Sequence, residues 1–369
     1  MSHQIRVLVG IALGLLLTLT PFSEVHSSQS SHAAKIRQEM NKLVAAGAPG
    51  VIVLFRNGDQ VTRLARGYGE VARRTPMRAD DRFRIGSLTK TYGATIVLQL
   101  AGEGRLSLDD SLGTHLPGVV PNADKITIRH LLNHTSGLFD YWRDQRFFDR
   151  LVAAPMRSWT AHERIALATS HPPLFAPGAG FSYSNTGYIL LGLIIEKVSG
   201  RSLAQEYHDR LFVPLHLLAT SAPSTYRIEG RHAHGYYVFD KPPAQDVTAV
   251  SASVAWGNGD IVSTADDVAT FYRALLSGRL LKPDLLQAMV TTVNATFEDG
   301  TRYGLGIGTG RFPCGTYWGH DGEFAGYVTT AKSSENGRRQ VVVMVNSSSL
   351  SKAAKKQVDR LIEVAYCGS

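Results

Sequence analysis

The two ends of the chain mirror each other, and that symmetry constrains the fold more than anything between them. Val51-Ile52-Val53-Leu54-Phe55 and residues 61–67 read as a strand pair around Arg56-Asn57-Gly58-Asp59. The Asn-Gly step there offers the positive backbone angles that a tight hairpin demands. Near the other end, residues 327–331 and 340–345 form a second such pair around Glu335-Asn336-Gly337. A helix over residues 33–46 precedes the first pair, with Ile36, Met40 and Leu43 at helical spacing, and a helix over about 351–365 follows the second. The middle differs in kind. From Ser87 to about Leu218 the patterns are helical, as in Ala94-Thr95-Ile96-Val97-Leu98-Gln99-Leu100, with breaks at Pro172-Pro173 and Pro177-Gly178. The expected fold is therefore mixed α/β, an antiparallel sheet flanked by helices and built from both chain ends, with a mostly helical inserted lobe. Residues 31–369 form one domain, with 31–86 and 255–369 in the α/β lobe and 87–254 in the helical lobe. A cleft lies between the two.

Residues 1–30 are read apart from that domain. The apolar run at residues 7–19 follows Arg6 and leads into small and polar residues, the layout of a secretory signal peptide, with cleavage expected between Ser27 and Ala34. The run is short for a membrane span, so none is expected after signal removal. Export, to the periplasm or the extracellular space, puts Cys314 and Cys367 where an isolated pair usually bridges. The net charge is +8, but Lys and Arg are scattered rather than blocked, so no nucleic-acid partner is expected.

Chemistry enters at Arg84-Ile85-Gly86-Ser87-Leu88-Thr89-Lys90, where an extended segment turns into a helix. Ser87 and Lys90, three apart, share a helical face, and the hydroxyl sits where free backbone N–H groups favour developing negative charge. A serine needs a neighbour to take its proton, and a lysine does so once burial lowers its pKa. The spacing alone is weak: Ser349-Leu350-Ser351-Lys352 repeats it, and there Ser351 reads as a helix cap. The first copy has company. Tyr183-Ser184-Asn185 stands in a polar loop before an apolar helix, and His320-Asp321-Gly322 stands just ahead of the strand beginning near Tyr327. A Gly-x-Ser-x-Gly elbow is absent, and His162-Glu163 lacks the second histidine of a zinc protease. His232-Ala233-His234 has no evident third ligand, so no metal or other cofactor is expected.

Taken in this order, the three motifs resemble those of the serine penicillin-recognising family: D-alanyl-D-alanine carboxypeptidases, class C β-lactamases and their esterase and D-aminopeptidase relatives. The likeness extends to Leu131-Leu132-Asn133-His134-Thr135-Ser136-Gly137-Leu138, to the stretch from Gly259 to Asp267, and to Tyr303-Gly304-Leu305-Gly306. It is nearest to secreted D-Ala-D-Ala carboxypeptidases. The resemblance implies that Ser87 forms an acyl-enzyme, and that Lys90 and Tyr183 move protons. It further implies that Asn185 bonds the substrate amide and steadies Lys90, and that the backbone N–H groups of Ser87 and Glu323 form an oxyanion hole. His320 takes a slot that orients substrate, where a histidine is expected to titrate near neutrality. Asp321, Gly322 and Glu323 complete the substrate edge. Asp321 and Glu323 depart from the family pattern, because a substrate carboxylate is repelled there unless a cation intervenes. The expected activity is carboxypeptidase action on D-Ala-D-Ala peptides, with a covalent β-lactam adduct. D-aminopeptidase, esterase or class C-like β-lactamase activity of the same fold is the alternative.

Overall fold

The computed structural model describes residues 22–239, 242–295, 297 and 300–368, without the side chains of residues 22–29. The apolar run at residues 7–19 lies outside the described residues. Among those described, no helix is long and apolar enough to cross a membrane.

Eight strands form one antiparallel sheet: β1 (Gly50–Asn57), β2 (Gln60–Glu70), β3 (Thr75–Pro76), β4 (Arg302–Tyr303), β5 (Gly308–Phe312), β6 (Gly315–Phe324), β7 (Tyr327–Ser333) and β8 (Arg339–Val345). Their order is β3-β2-β1-β8-β7-β6-β5-β4, so the first and last long strands meet at the centre. Val51 pairs with Val345 and Val53 with Val343. Both central strands are apolar without alternation because both of their faces are covered. On one face Val51, Val53, Val341 and Val343 pack against Ile36, Met40 and Leu43 of helix α1 (Phe22–Ala45) and against Leu361 of the C-terminal helix, Lys352–Cys367. On the other face Ile52, Leu54, Val342 and Met344 join the larger core with Phe271 and Leu275 of the helix Ala265–Leu276. Burying each such side chain contributes roughly 1.5–3 kcal/mol, so the two chain ends are held together mainly by this layer.

The hairpins follow the sequence reading with one shift. Asn57 still pairs with Gln60 as the last strand residue, and the turn is made by Gly58 and Asp59, where Gly58 alone takes a positive φ of 63°. Helix α1 is already formed at Phe22, ahead of the expected start at residue 33. His320, expected ahead of a strand, lies inside β6. Gly319 and Gly322 interrupt that strand's pattern and hid it, since glycine inside a strand usually marks a close backbone approach rather than a strand signal. A disulfide between Cys314 and Cys367 ties the β5–β6 turn to the end of the C-terminal helix.

β5 pairs with β6 only as far as Gly319. Beyond it, the outer edge of residues 320–324 lies against the turn Gly86–Leu88, which leads into helix α2 (Thr89–Gly102). Helix α4 (Asn185–Ser199) packs against α2 and against the short helix α3 (Ile128–Leu132).

Candidate active site

Ser87 sits in a single 3-10 turn, and Lys90 is the second residue of α2. Gly86 makes the turn with φ of 53°, and a Cβ there would stand 2.7 Å from the Glu323 backbone nitrogen. A Cβ on Gly322 would stand 2.0 Å from the Ile85 carbonyl oxygen and 3.0 Å from the Ser87 nitrogen. Glycine at both positions lets two backbones approach more closely than side chains permit. The amides of Ser87 and Glu323 are thereby neighbours.

The structure brings Ser87, Lys90, Tyr183, Asn185 and His320 together. Lys90 is fully buried, with Nζ 2.9 Å from Ser87 Oγ, 2.7 Å from Asn185 Oδ1 and 2.9 Å from the Asn258 carbonyl oxygen. Burial pushes its pKa down to about 7, against the opposing pull of the Asp140 and Asp260 carboxylates. A neutral lysine amine has two N–H donors and one lone pair. Asn185 Oδ1 and the Asn258 carbonyl can only accept, so they take both protons and leave the lone pair facing Ser87.

Tyr183 closes the other side. Its ring lies 4.8 Å from Lys90 Nζ, and its hydroxyl hydrogen-bonds Ser87. Burial holds its pKa well above the usual tyrosine value, so it is a phenol at neutral pH despite the Ser87 bond. Asn185 owes its place to being the first residue of α4, directly after the loop that carries Tyr183.

His320 corrects one expectation. Burial, reinforced by the Lys90 charge, pushes its pKa down to about 4 rather than leaving it near neutrality. Nδ1–H donates to the Asp321 carbonyl at 2.5 Å, and Nε2 accepts from the Tyr303 hydroxyl at 2.8 Å. Both nitrogens are therefore used, and the ring is neutral at pH 7. Asp321 and Glu323 alternate with it along β6 and direct their carboxylates to the opposite face. Lys332 lies 2.8 Å from Asp321; although desolvation works against the charge, this ammonium keeps Asp321 below its usual range. Glu323 is raised by desolvation, which Lys355 of the C-terminal helix opposes. A cation thus already answers Asp321 from within the protein.

Several residues at the site carry no motif signal. The Asn258 carbonyl comes from a loop whose Gly257 N–H donates to buried Asp260, and burial lifts that carboxyl to about 7. His134, in the left-handed region at φ 61°, accepts the Ser184 N–H at Nδ1 (3.1 Å), and its ring lies 4.2 Å from that of Tyr183. Tyr188 of α4 donates its hydroxyl to the Leu132 carbonyl and puts its ring 5.5 Å from Lys90 Nζ. A backbone carbonyl leaves no trace in side-chain identity. His134 was legible only as part of a stretch resembling the family, without a role.

The second Ser-x-x-Lys copy is spent on structure. Ser351 caps the C-terminal helix by accepting the Ala354 N–H, and Ser349 accepts the Val238 N–H.

Comparison with known proteins identifies the family. Residues 33–366 match the family described as Beta-lactamase. A curated relative, penicillin-binding protein 4* of Bacillus subtilis, is 28% identical over 321 residues, covering 80% of this chain and 68% of that protein. Among solved structures, a D-stereospecific amidohydrolase from Streptomyces sp. is 36% identical, with a TM-score of 0.84 over 92% of this chain and 99% of that one. The D-amino acid amidase from Ochrobactrum anthropi SV3, complexed with D-phenylalanine, is 29% identical, with a TM-score of 0.81 over 90% and 98% of the two chains. The chain belongs to the β-lactamase family, as a serine hydrolase of the β-lactamase and penicillin-binding-protein type.

Proposed function

We propose that the enzyme hydrolyses amides of D-amino acids through an acyl-enzyme on Ser87. Neutral Lys90 takes the Ser87 proton as Oγ attacks the carbonyl carbon. The Ser87 and Glu323 N–H groups bond the oxyanion that forms. The Tyr183 phenol gives its proton to the departing nitrogen and is refilled from Lys90, so the C–N bond breaks and an ester remains on Ser87. Water then attacks that ester; its proton goes to Lys90, and Ser87 leaves with a proton returned to Oγ.

The observation that carries the substrate class is His320. A carboxypeptidase must hold the free carboxylate of the terminal residue, which calls for a charge or an open donor in that slot. Here the ring is neutral, and both nitrogens are committed to Tyr303 and the Asp321 carbonyl. An amide, carrying no carboxylate, suits such a slot better. The names of the two solved neighbours, a D-stereospecific amidohydrolase and a D-amino acid amidase, support the same reading. Carboxypeptidase action on D-Ala-D-Ala peptides is the second reading, favoured by the penicillin-binding relative.

The test is a substrate panel on wild type and Ser87→Ala: D- and L-phenylalanine amide, an acyl-D-Ala-D-Ala peptide, nitrocefin and a short-chain aryl ester. Turnover of the D-amide above its L-enantiomer and above the peptide, lost in Ser87→Ala, is expected. Turnover of the peptide with no action on the amide would put carboxypeptidase in its place.

A further inference from the structure

Asp140 is a buried carboxylate that the mechanism above does not use. It lies at the end of the segment following α3 and begins the 3-10 turn Tyr141–Arg143, accepting the Trp142 N–H at 3.3 Å. Among the described residues, the other hydrogen bonds of its carboxylate go to one residue, Asn185. The Asn185 backbone N–H donates to Oδ1 at 3.2 Å, and Asn185 Nδ2 donates to Oδ2 at 3.0 Å. We propose that Asp140 is the positioning residue that holds the Asn185 amide with its oxygen toward Lys90 and so reserves the lysine lone pair for Ser87.

The argument is one of donor and acceptor counting. An asparagine amide has two ends of nearly equal shape, and only its partners decide which way it lies. A carboxylate accepts and does not donate, so Nδ2 must face Asp140, and Oδ1 is then left to face Lys90 Nζ at 2.7 Å. If the amide were reversed, an N–H would point at Nζ and compete with Ser87 for the lone pair. No hydrogen bond joins Asp140 to Lys90 directly among the described residues, so beyond the pull of its charge Asp140 acts on the lysine through this amide. Its burial disfavours its own charge, and three N–H donors counter that, which is what a carboxylate held for orientation requires.

The role also has an electrostatic signature. The groups facing Lys90 are Ser87, Asn185, the Asn258 carbonyl, the rings of Tyr183 and Tyr188, the carboxylates of Asp140 and Asp260, and the imidazoles of His134 and His320. Of these, the two carboxylates favour the ammonium. Neutralising Asp140 therefore lowers the Lys90 pKa while loosening its geometry.

This inference rests on the proposed Ser87–Lys90 chemistry and is tested apart from its substrate. The rate at which a fluorophosphonate probe labels Ser87 is followed against pH in wild type, Asp140→Asn, Asn185→Ala and the double variant. Asp140→Asn keeps the shape and an acceptor for the backbone N–H groups, and thermal melting checks that it is folded. The expected result is a labelling rate lower by about ten- to a hundredfold at the pH plateau, with the acidic limb moved to lower pH. At the plateau, where Lys90 is neutral in every variant and the direct pull of the carboxylate no longer sets its protonation, the double variant should be no slower than Asn185→Ala, because an orienting group adds nothing once the group it orients is gone. An unchanged rate in Asp140→Asn, an unmoved limb, or losses that multiply in the double variant would overturn the role. Failure of wild type to label at Ser87 would instead overturn the catalytic reading on which it stands.

Discussion

Gly322→Ala tests the close approach between strand β6 and the Ser87 turn. The new methyl carbon would stand 2.0 Å from the Ile85 carbonyl oxygen, where ordinary contact begins at 3.4 Å. The obstacle is backbone, so no side chain can swing away, and the two segments must separate by about 1.4 Å, a change that a close-packed interior resists. The same methyl would lie 3.0 Å from the Ser87 nitrogen, so the separation falls on the pair of amides proposed to bond the oxyanion. A misplacement of about 1 Å costs on the order of a hundredfold in rate, while overpacking of this kind costs about 1–3 kcal/mol in stability. The prediction is a folded enzyme whose kcat/KM falls about a hundredfold or more, with a modest loss in Tm. Gly308→Ala in the neighbouring strand is the control, because its methyl comes closest to the tip of the Thr301 side chain, at 3.3 Å, and meets the Gly319 and Arg302 carbonyl oxygens at ordinary contact, 3.5 and 3.7 Å. A folded Gly322→Ala enzyme with wild-type kcat/KM would refute the reasoning, and with it the assignment of the Glu323 amide.

The acid limb of the rate should fall at about pH 7 and belong to Lys90, since the neutral amine is the base and the rate rises as pH passes upward through its pKa. His320, depressed to about 4, titrates well below that limb, so a pH profile of His320→Gln should lose rate without losing the limb. Cys314→Ser opens a crosslink spanning 53 residues, which the chain-entropy relation values at up to about 4 kcal/mol. Calorimetry should show a clear drop in Tm, with kcat unchanged at low temperature, because the bridge ties the β5–β6 turn to the C-terminal helix rather than to any residue of the site.

What the sequence determined was local. Apolar runs at both ends marked strands, and Ile36, Met40 and Leu43 marked a helix, because periodicity reports burial directly. Ser87, Lys90, Tyr183 and Asn185 were legible because each belongs to a short motif with a chemical reason for its spacing. Strand β6 was not legible, since Gly322 serves an approach to Ile85 and Ser87, more than two hundred positions away, and Gly319 an approach to the Ala331 backbone of the neighbouring strand. The state of His320 was misjudged for a related reason: a pKa depends on burial and neighbours, and those come from Tyr303 and Lys90 only after folding. Asn258 offers a carbonyl, which every residue has, and Asp140 acts through an amide that another helix presents. The proposed nucleophile and its proposed base were thus written in the chain as a motif. Which way the lysine's lone pair points was decided only when three distant segments closed around it, because hydrogen-bond direction is a property of the assembled partners.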